Sequence, residues 1–230
     1  MKFHGFQKMT LLDFPGKVAC TVFTGGCNFR CPFCHNALLV TQLSDTETYD
    51  GEEILAYLKK RRGLLDGIAV TGGEPLINDE IIEFIRSVKA EGFSVKLDTN
   101  GSFPERLKFL VNENLVDYVA MDIKNSRELY AATAGVSSLR IEKIDESVSF
   151  LLEGKVDYEF RTTVVNEFHT VESIAEAAKW IKGARRYFLQ NFIDSGNLIG
   201  NGISGVPKVE MEKMREAASH FVPETAIRGI

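Results

Sequence analysis

From Val18 onward the chain alternates short apolar runs with longer amphipathic stretches. Val18–Phe23 is a continuous apolar run of the kind that forms a buried strand. Glu52–Arg62 follows as a helix, with Ile54, Leu55 and Leu58 on one face. Gly67–Thr71 predicts a second strand. Asp79–Glu91 predicts a helix, with Ile81, Ile82, Ile85 and Val88 at the helical period and Gly92 as its stop. Ser94–Thr99 reads as a strand, and a helix opens near Pro104, whose fixed φ suits a first helical position. Tyr118–Asp122 is the fourth strand, and Ile141, Ile144, Val148 and Leu151 mark a helix. Tyr158–Val165 and Tyr187–Phe192 are the fifth and sixth strands. Between them lies a helix over Val171–Lys182, and a last helix spans Lys208–Phe221.

Six strand-helix units with right-handed crossovers predict an α/β fold, a parallel sheet with helices outside. A partial, open TIM-like (β/α)6 barrel fits that count. The expectation is a single domain, 1–230, with its core at about 17–192 and a loop, helix and tail over 193–230. Barrels of this type place chemistry at the C-terminal ends of the strands. Here those ends are polar: Thr71-Gly72-Gly73-Glu74-Pro75, Asp98-Thr99-Asn100-Gly101, Asp122-Ile123-Lys124 and Gln190-Asn191. The fifth strand carries Glu159, Arg161 and Thr163 on one face. Each has an ordinary structural use. Asn100-Gly101 is a turn signal, Gly72-Gly73 a flexible connection, Asp122 with Lys124 a surface pair, and Arg161 with Glu159 a same-face pair. Their convergence on one end argues for a site.

The first strand runs into Cys27-Asn28-Phe29-Arg30-Cys31-Pro32-Phe33-Cys34-His35. Three thiolates on one tight loop can hold three irons of a [4Fe–4S] cluster and leave the fourth iron open to a ligand. Zinc is the competing reading, and it wants four ligands. The fourth would come from His35, His4 or Cys20. Cys20 lies in the apolar first strand and reads as a small hydrophobe. Three cysteines in one short loop of a 230-residue chain do not suit a secreted disulfide scaffold. A formal net charge of −5 argues against non-specific nucleic-acid binding. Met1–Lys8 has no apolar signal-like region, and no apolar run approaches a membrane span. The expectation is a cytoplasmic protein with neither nucleic-acid nor membrane partners. Phe192–Val206, with Ser195-Gly196-Asn197 and Gly200-Asn201-Gly202, lacks periodicity and reads either as a lid or docking loop or as a mobile connection.

The C-x3-C-x2-C loop together with Gly72-Gly73-Glu74-Pro75 resembles the radical S-adenosylmethionine (SAM) activases of glycyl-radical enzymes. The chain is most similar to the anaerobic ribonucleoside-triphosphate reductase activating proteins in their longer form. Asp13-Phe14-Pro15-Gly16-Lys17, Asp98-Thr99-Asn100-Gly101, Asp122-Ile123-Lys124, Arg161-Thr162-Thr163-Val164-Val165 and the closing Ile227-Arg228-Gly229 carry the resemblance further. It implies that Cys27, Cys31 and Cys34 ligate the cluster and that the open iron takes the amino and carboxylate groups of SAM. A reduced cluster then splits SAM to methionine and a 5′-deoxyadenosyl radical. Phe33 is implied against the adenine, Gly72 and Gly73 beside the methionine moiety, and Glu74 at its ammonium. Asp98 and Thr99 are implied at the ribose, the methionine end or a nearby monovalent cation. Asp122 is implied in a like role, Lys124 at the SAM carboxylate, and Arg161 in the same site. The implied partners are a glycyl-radical enzyme, the class III ribonucleotide reductase, and a flavodoxin- or ferredoxin-type reductant. The chain has neither the appended cysteine clusters of many small-molecule radical SAM enzymes nor an inserted ferredoxin-like segment between Asn36 and Glu74. Two other readings stay open: a radical SAM enzyme acting on a small molecule or peptide, and a non-catalytic iron–sulfur or zinc module.

Overall fold

The computed structural model describes residues 1–194 and 196–229. Ser195, part of the run expected as a lid or docking loop, lies outside the described residues. In chain order the elements are β1 (Lys2–Phe3), β2 (Phe6–Thr10), β3 (Ala19–Thr24), α1 (Ala37–Thr41), β4 (Tyr49–Asp50) and α2 (Gly51–Lys60). Next come β5 (Gly67–Gly72), α3 (Ile81–Ala90), β6 (Ser94–Thr99), α4 (Pro104–Asn112), β7 (Tyr118–Asp122) and α5 (Tyr130–Ala134). The chain ends with α6 (Ile141–Leu152), β8 (Asp157–Val164), α7 (Val171–Trp180), β9 (Tyr187–Asn191), α8 (Lys208–Ser219) and β10 (Thr225–Arg228).

The main sheet has the order β10-β9-β8-β7-β6-β5-β3-β2. All six predicted strands are present, paired in parallel and in sequence order. Two strands extend the six-unit expectation. β10 adds a seventh parallel strand beside β9, and β2 caps the other edge antiparallel to β3. β10 and β2 are the two edges and do not pair with each other, so the barrel stays open. The pattern hid both. β10 is four residues long and follows a helix, and β2 is mostly exposed, so neither shows a buried apolar run.

Alternation along the strands sorts side chains between two layers. Cys20, Val22, Val95, Leu97, Val119, Met121, Tyr158 and Phe160 join the main core under the helices. The other face lines the lumen. At its floor Phe14, from the loop before β3, packs with Ala19, Tyr118 and Ala120 as a separate apolar plug. The Asp13–Lys17 run therefore closes the barrel floor. Above the plug the lumen is polar: Lys96 and Asp98 on β6, Asp122 on β7, Glu159 and Arg161 on β8, Arg228 on β10. Helix ends follow local chemistry. Pro104 opens α4, and Thr170 caps α7 by accepting the Ser173 N–H at 3.2 Å, with Ser173 Oγ accepting the Thr170 N–H in return.

Candidate active site

β3 ends at Thr24 and the cysteine loop follows at once. Gly26, at φ +83°, turns the chain in a left-handed conformation that favours glycine. The end of β5 is stitched to this turn: Gly73 N–H donates to Thr24 O at 2.9 Å and Glu74 N–H to Gly26 O at 2.8 Å. A Cβ on Gly73 would lie 1.9 Å from Gly26 O, and one on Gly72 would lie 2.4 Å from Thr24 N. The glycine pair is thus required by the approach of two backbones within the chain itself. Ligand contact, the reason expected from the sequence, is not needed to explain it.

One cavity opens above the lumen, with a volume of ≈ 210 Å³. Its lining brings together Cys27, Cys31 and Cys34 with Phe33, Gly72, Gly73, Asp98, Thr99, Asp122, Lys124 and Arg161. Glu74 stands apart from this group. It is fully buried, its Oε1 accepts from Leu76 N–H and Thr99 Oγ1, and its Oε2 accepts from Asn100 N–H at 2.6 Å. Burial pushes its carboxyl up to about 7, against the hydrogen bonds donated by Asn100 and Leu76. Its visible work is to brace the ends of β5 and β6. Phe33 is buried among Phe168 and His169, with ring centroids 6.0 and 6.3 Å away.

All four cysteines are free thiols. Burial pushes Cys27 up to about 11 and raises Cys31 and Cys34 as well. Bare, these thiols hold their protons; a metal group releases them. The three candidates for a fourth zinc ligand are engaged elsewhere. Cys20 is in the core under the helices. His35 stacks on Phe192 at 5.1 Å and meets Ile193 O through Nε2 at 2.9 Å. His4 Nδ1 lies 2.7 Å from Thr46 Oγ1. No three His, Cys, Asp or Glu side chains among the described residues converge on one ion-sized point. A cubane does not ask for that, because each thiolate serves a different iron. A donor set of three thiols beside an open, polar cavity fits a [4Fe–4S] cluster with one exchangeable iron.

The charges below the cysteines form a chain. Lys96 pairs with Asp98, and Asp98 accepts from Arg161 at 3.1 Å. Arg161 also reaches Asp122 at 3.1 Å, and Asp122 accepts from Lys124 at 2.9 Å. Burial alone would raise the Asp122 carboxyl, but Lys124 and Arg161 outweigh it and hold the group down to about 2. Lys124 is driven up in turn: desolvation opposes its charge, and Asp122 more than offsets this. The expected pair of Arg161 with Glu159 is not formed. Glu159 is taken by Arg228, at 3.1 and 3.2 Å, and by the Tyr118 hydroxyl at 2.8 Å. Parallel register sets Arg161 opposite Asp122, which decides the partner. Asp122 and Lys124, which by themselves suit a surface pair, face the cavity instead.

Sequence reasoning passed over three residues. Asn100 lines the cavity, donates to Asn28 Oδ1 at 2.9 Å and lies 3.9 Å from Cys27 Sγ. Its adjacency to Asp98-Thr99 was the signal, masked by the Asn-Gly turn reading. His169 Nε2 lies 2.8 Å from Lys124 O, fixing the backbone beside that lysine. Lys96 has a same-face spacing to Asp98 that resembles a solvated pair. The segment after Phe192 lies against the cysteine loop, with Gly200 N–H donating to Pro32 O at 2.8 Å.

The Radical SAM superfamily profile matches residues 21–218. A Methanocaldococcus jannaschii protein, MJ1227, which carries the name of a glycyl-radical enzyme activating enzyme, is 31% identical over 98% of this chain and 95% of its own. The pyruvate formate-lyase 1-activating enzyme of Escherichia coli strain K12 is 30% identical over 60% of this chain. The alignment spans 58% of that relative, under two thirds of its length. Among solved structures, Streptococcus suis SuiB bound to S-adenosylmethionine superposes with a TM-score of 0.70 at 13% identity, covering 90% of this chain and 49% of that one, a likeness of fold. By its profile match and its near full-length relative, the chain belongs to the radical SAM superfamily, whose members bind a [4Fe–4S] cluster and S-adenosylmethionine.

Proposed function

We propose that this radical SAM enzyme generates a glycyl radical on a partner enzyme, and that the partner is the anaerobic ribonucleoside-triphosphate reductase. The observation that carries the activase reading is the match along 98% of the chain to a relative named for that role. The reductase is supported by the motif resemblance from Asp13-Phe14-Pro15-Gly16-Lys17 to Ile227-Arg228-Gly229.

Cys27, Cys31 and Cys34, which line the cavity, would hold three irons of the cluster. A reduced cluster held there would supply the electron for splitting a sulfonium carbon–sulfur bond of SAM to methionine and a 5′-deoxyadenosyl radical. Lys124 and Arg161 bind the SAM carboxylate. Both line the cavity, and each carries hydrogen-bond donors beyond those given to Asp122 and Asp98. Gly72 and Gly73 offer backbone groups to the methionine end, and Phe33 offers an aromatic face to the adenine. Asp98 and Thr99 hold the ribose or methionine side. Glu74 acts one step behind, fixing Thr99 and Asn100 through its two oxygens. The partner's glycine segment enters by the open side of the barrel, where the absence of a side chain lets it reach the cavity. A flavodoxin- or ferredoxin-type protein delivers the electron.

The test is anaerobic reconstitution, reduction with dithionite and addition of SAM, with and without the reductase. Production of 5′-deoxyadenosine together with a glycyl-radical signal by electron paramagnetic resonance is the expected result. Deoxyadenosine without a radical on that partner would redirect the search to another substrate. No deoxyadenosine from a protein with an intact cluster would sink the activase reading.

A further inference from the structure

Lys96 is an unusual residue for its place. It sits mid-strand on β6 at 2% exposure, with its ammonium inside the barrel lumen against Asp98. A buried ammonium is costly unless paired. Here it has a partner, and that partner belongs to the cavity lining while Lys96 does not. One oxygen of Asp98 takes Lys96 and the other takes Arg161. Arg161 is shared onward with Asp122, whose second oxygen takes Lys124. Two carboxylates thus face three side-chain cations, one net positive charge, and both oxygens of Asp98 and of Asp122 have a cationic neighbour. Without Lys96, Arg161 alone would neutralise Asp98 while also serving Asp122, and the pull of both carboxylates would hold its guanidinium down in the lumen.

We propose that Lys96 is the built-in counter-cation of the SAM cavity, standing behind Asp98 where an inorganic monovalent cation would otherwise be needed and leaving Arg161 and Lys124 free for the ligand. The inference rests on the cavity being the SAM site. Lys96 is a positioning residue: it touches Asp98 and not the ligand. The exposures agree with that division, since Lys124 and Arg161 keep 15% and 14% of their side-chain surface open to the cavity and Lys96 keeps 3%.

The experiment is equilibrium dialysis of labelled SAM against anaerobically cluster-loaded protein, in potassium chloride and in tetramethylammonium chloride at equal ionic strength. Tetramethylammonium is too large to enter beside Asp98. The unaltered chain is expected to bind SAM equally in both salts, within about twofold. Lys96→Met is expected to lose roughly tenfold or more in tetramethylammonium and to recover most of it in potassium. That variant leaves a buried carboxylate bare and risks unfolding, so the double variant Lys96→Met/Asp98→Asn is measured with it, along with the melting temperature of each cluster-free chain in both salts. The double variant is expected to be indifferent to the salt in both measurements, and the single variant to melt lower in tetramethylammonium. Affinity of the unaltered chain that collapses without potassium would overturn the role of Lys96 alone. So would a Lys96→Met variant that binds like the unaltered chain in both salts. No SAM retained by the unaltered chain in either salt would overturn the cavity assignment and the inference with it.

Discussion

Cys20 and Cys31 are both buried thiols, yet only Cys31 faces the cavity. Cys20 points under the helices beside Val22, while Cys31 sits on the loop beyond the strand's end. Cys27→Ala, Cys31→Ala and Cys34→Ala are each expected to lose the iron–sulfur absorbance and SAM cleavage. Cys20→Ala is expected to keep both, at a cost of about 1 kcal/mol in stability from lost packing. Loss of iron in the Cys20 variant would break the ligand assignment. His169 offers a second test at this scale. Burial holds its imidazole below the ordinary value, against hydrogen bonds at Lys124 and Val165. At this position the unfolded chain takes up the proton first as the pH falls through about 6.5, so the contribution of His169 to stability drops with falling pH below that value and is constant above it. Glu74, raised to about 7, draws the other way over the same range in both chains, so the test is the difference: between about pH 7.5 and 5.5 the urea midpoint of the cluster-free chain should fall further, or rise less, than that of His169→Gln. Equal slopes in the two chains would remove His169 from the account.

At the scale of elements, the end of β5 does two jobs that the sequence shows as one motif. Gly72 and Gly73 let β5 approach the cysteine loop, and Glu74 ties β5 to the end of β6. Gly73→Ala places a methyl group against Gly26 O, a backbone atom with little room to move. Overpacking of this kind costs about 1–3 kcal/mol. Because Gly26 precedes Cys27, the expected result is a lower melting temperature together with weaker iron loading, read from the iron content of reconstituted protein. Unchanged loading would show that the loop is held independently of β5. Six of the helices and the six central strands were readable because each buries one continuous face, which writes a period into the sequence, whereas α1 and α5, five residues each, are too short to show one. β10 was not, because a four-residue strand is specified by its neighbour β9 rather than by its own pattern.

The whole molecule is organised around a lumen that is charged in the middle and plugged with Phe14 below. Arg228, on the last strand, reaches back to Glu159 on β8 and stacks over Phe188, its guanidinium carbon 3.4 Å from the ring centroid. The tail thereby completes the lumen wall. Removing one partner of a fully buried pair costs roughly 3–5 kcal/mol. Solvent around Arg228, whose side chain is 40% exposed, lowers this to about 1–3 kcal/mol. Arg228→Leu should therefore reduce the melting temperature, and Glu159→Gln added to it should restore part of the loss. A double variant no better than the single would argue that Arg228 acts through Phe188 instead. Among the described residues no helix is long and apolar enough to cross a membrane.

The sequence alone determined the α/β alternation, the six central strands and the cysteine loop, because each rests on local spacing: a period for helices, an apolar run for strands, three thiols within one loop. It also marked the polar strand ends as a set. Only the tertiary structure decided who meets whom. Strand register turned Arg161 toward Asp98 and Asp122 and gave Glu159 to Arg228. Burial turned Glu74 from a cavity residue into a brace and Lys96 from an ordinary lysine into an internal counter-charge. The reason is physical: an ion pair depends on distance and on exclusion of water, and neither is written in the spacing of residues along the chain.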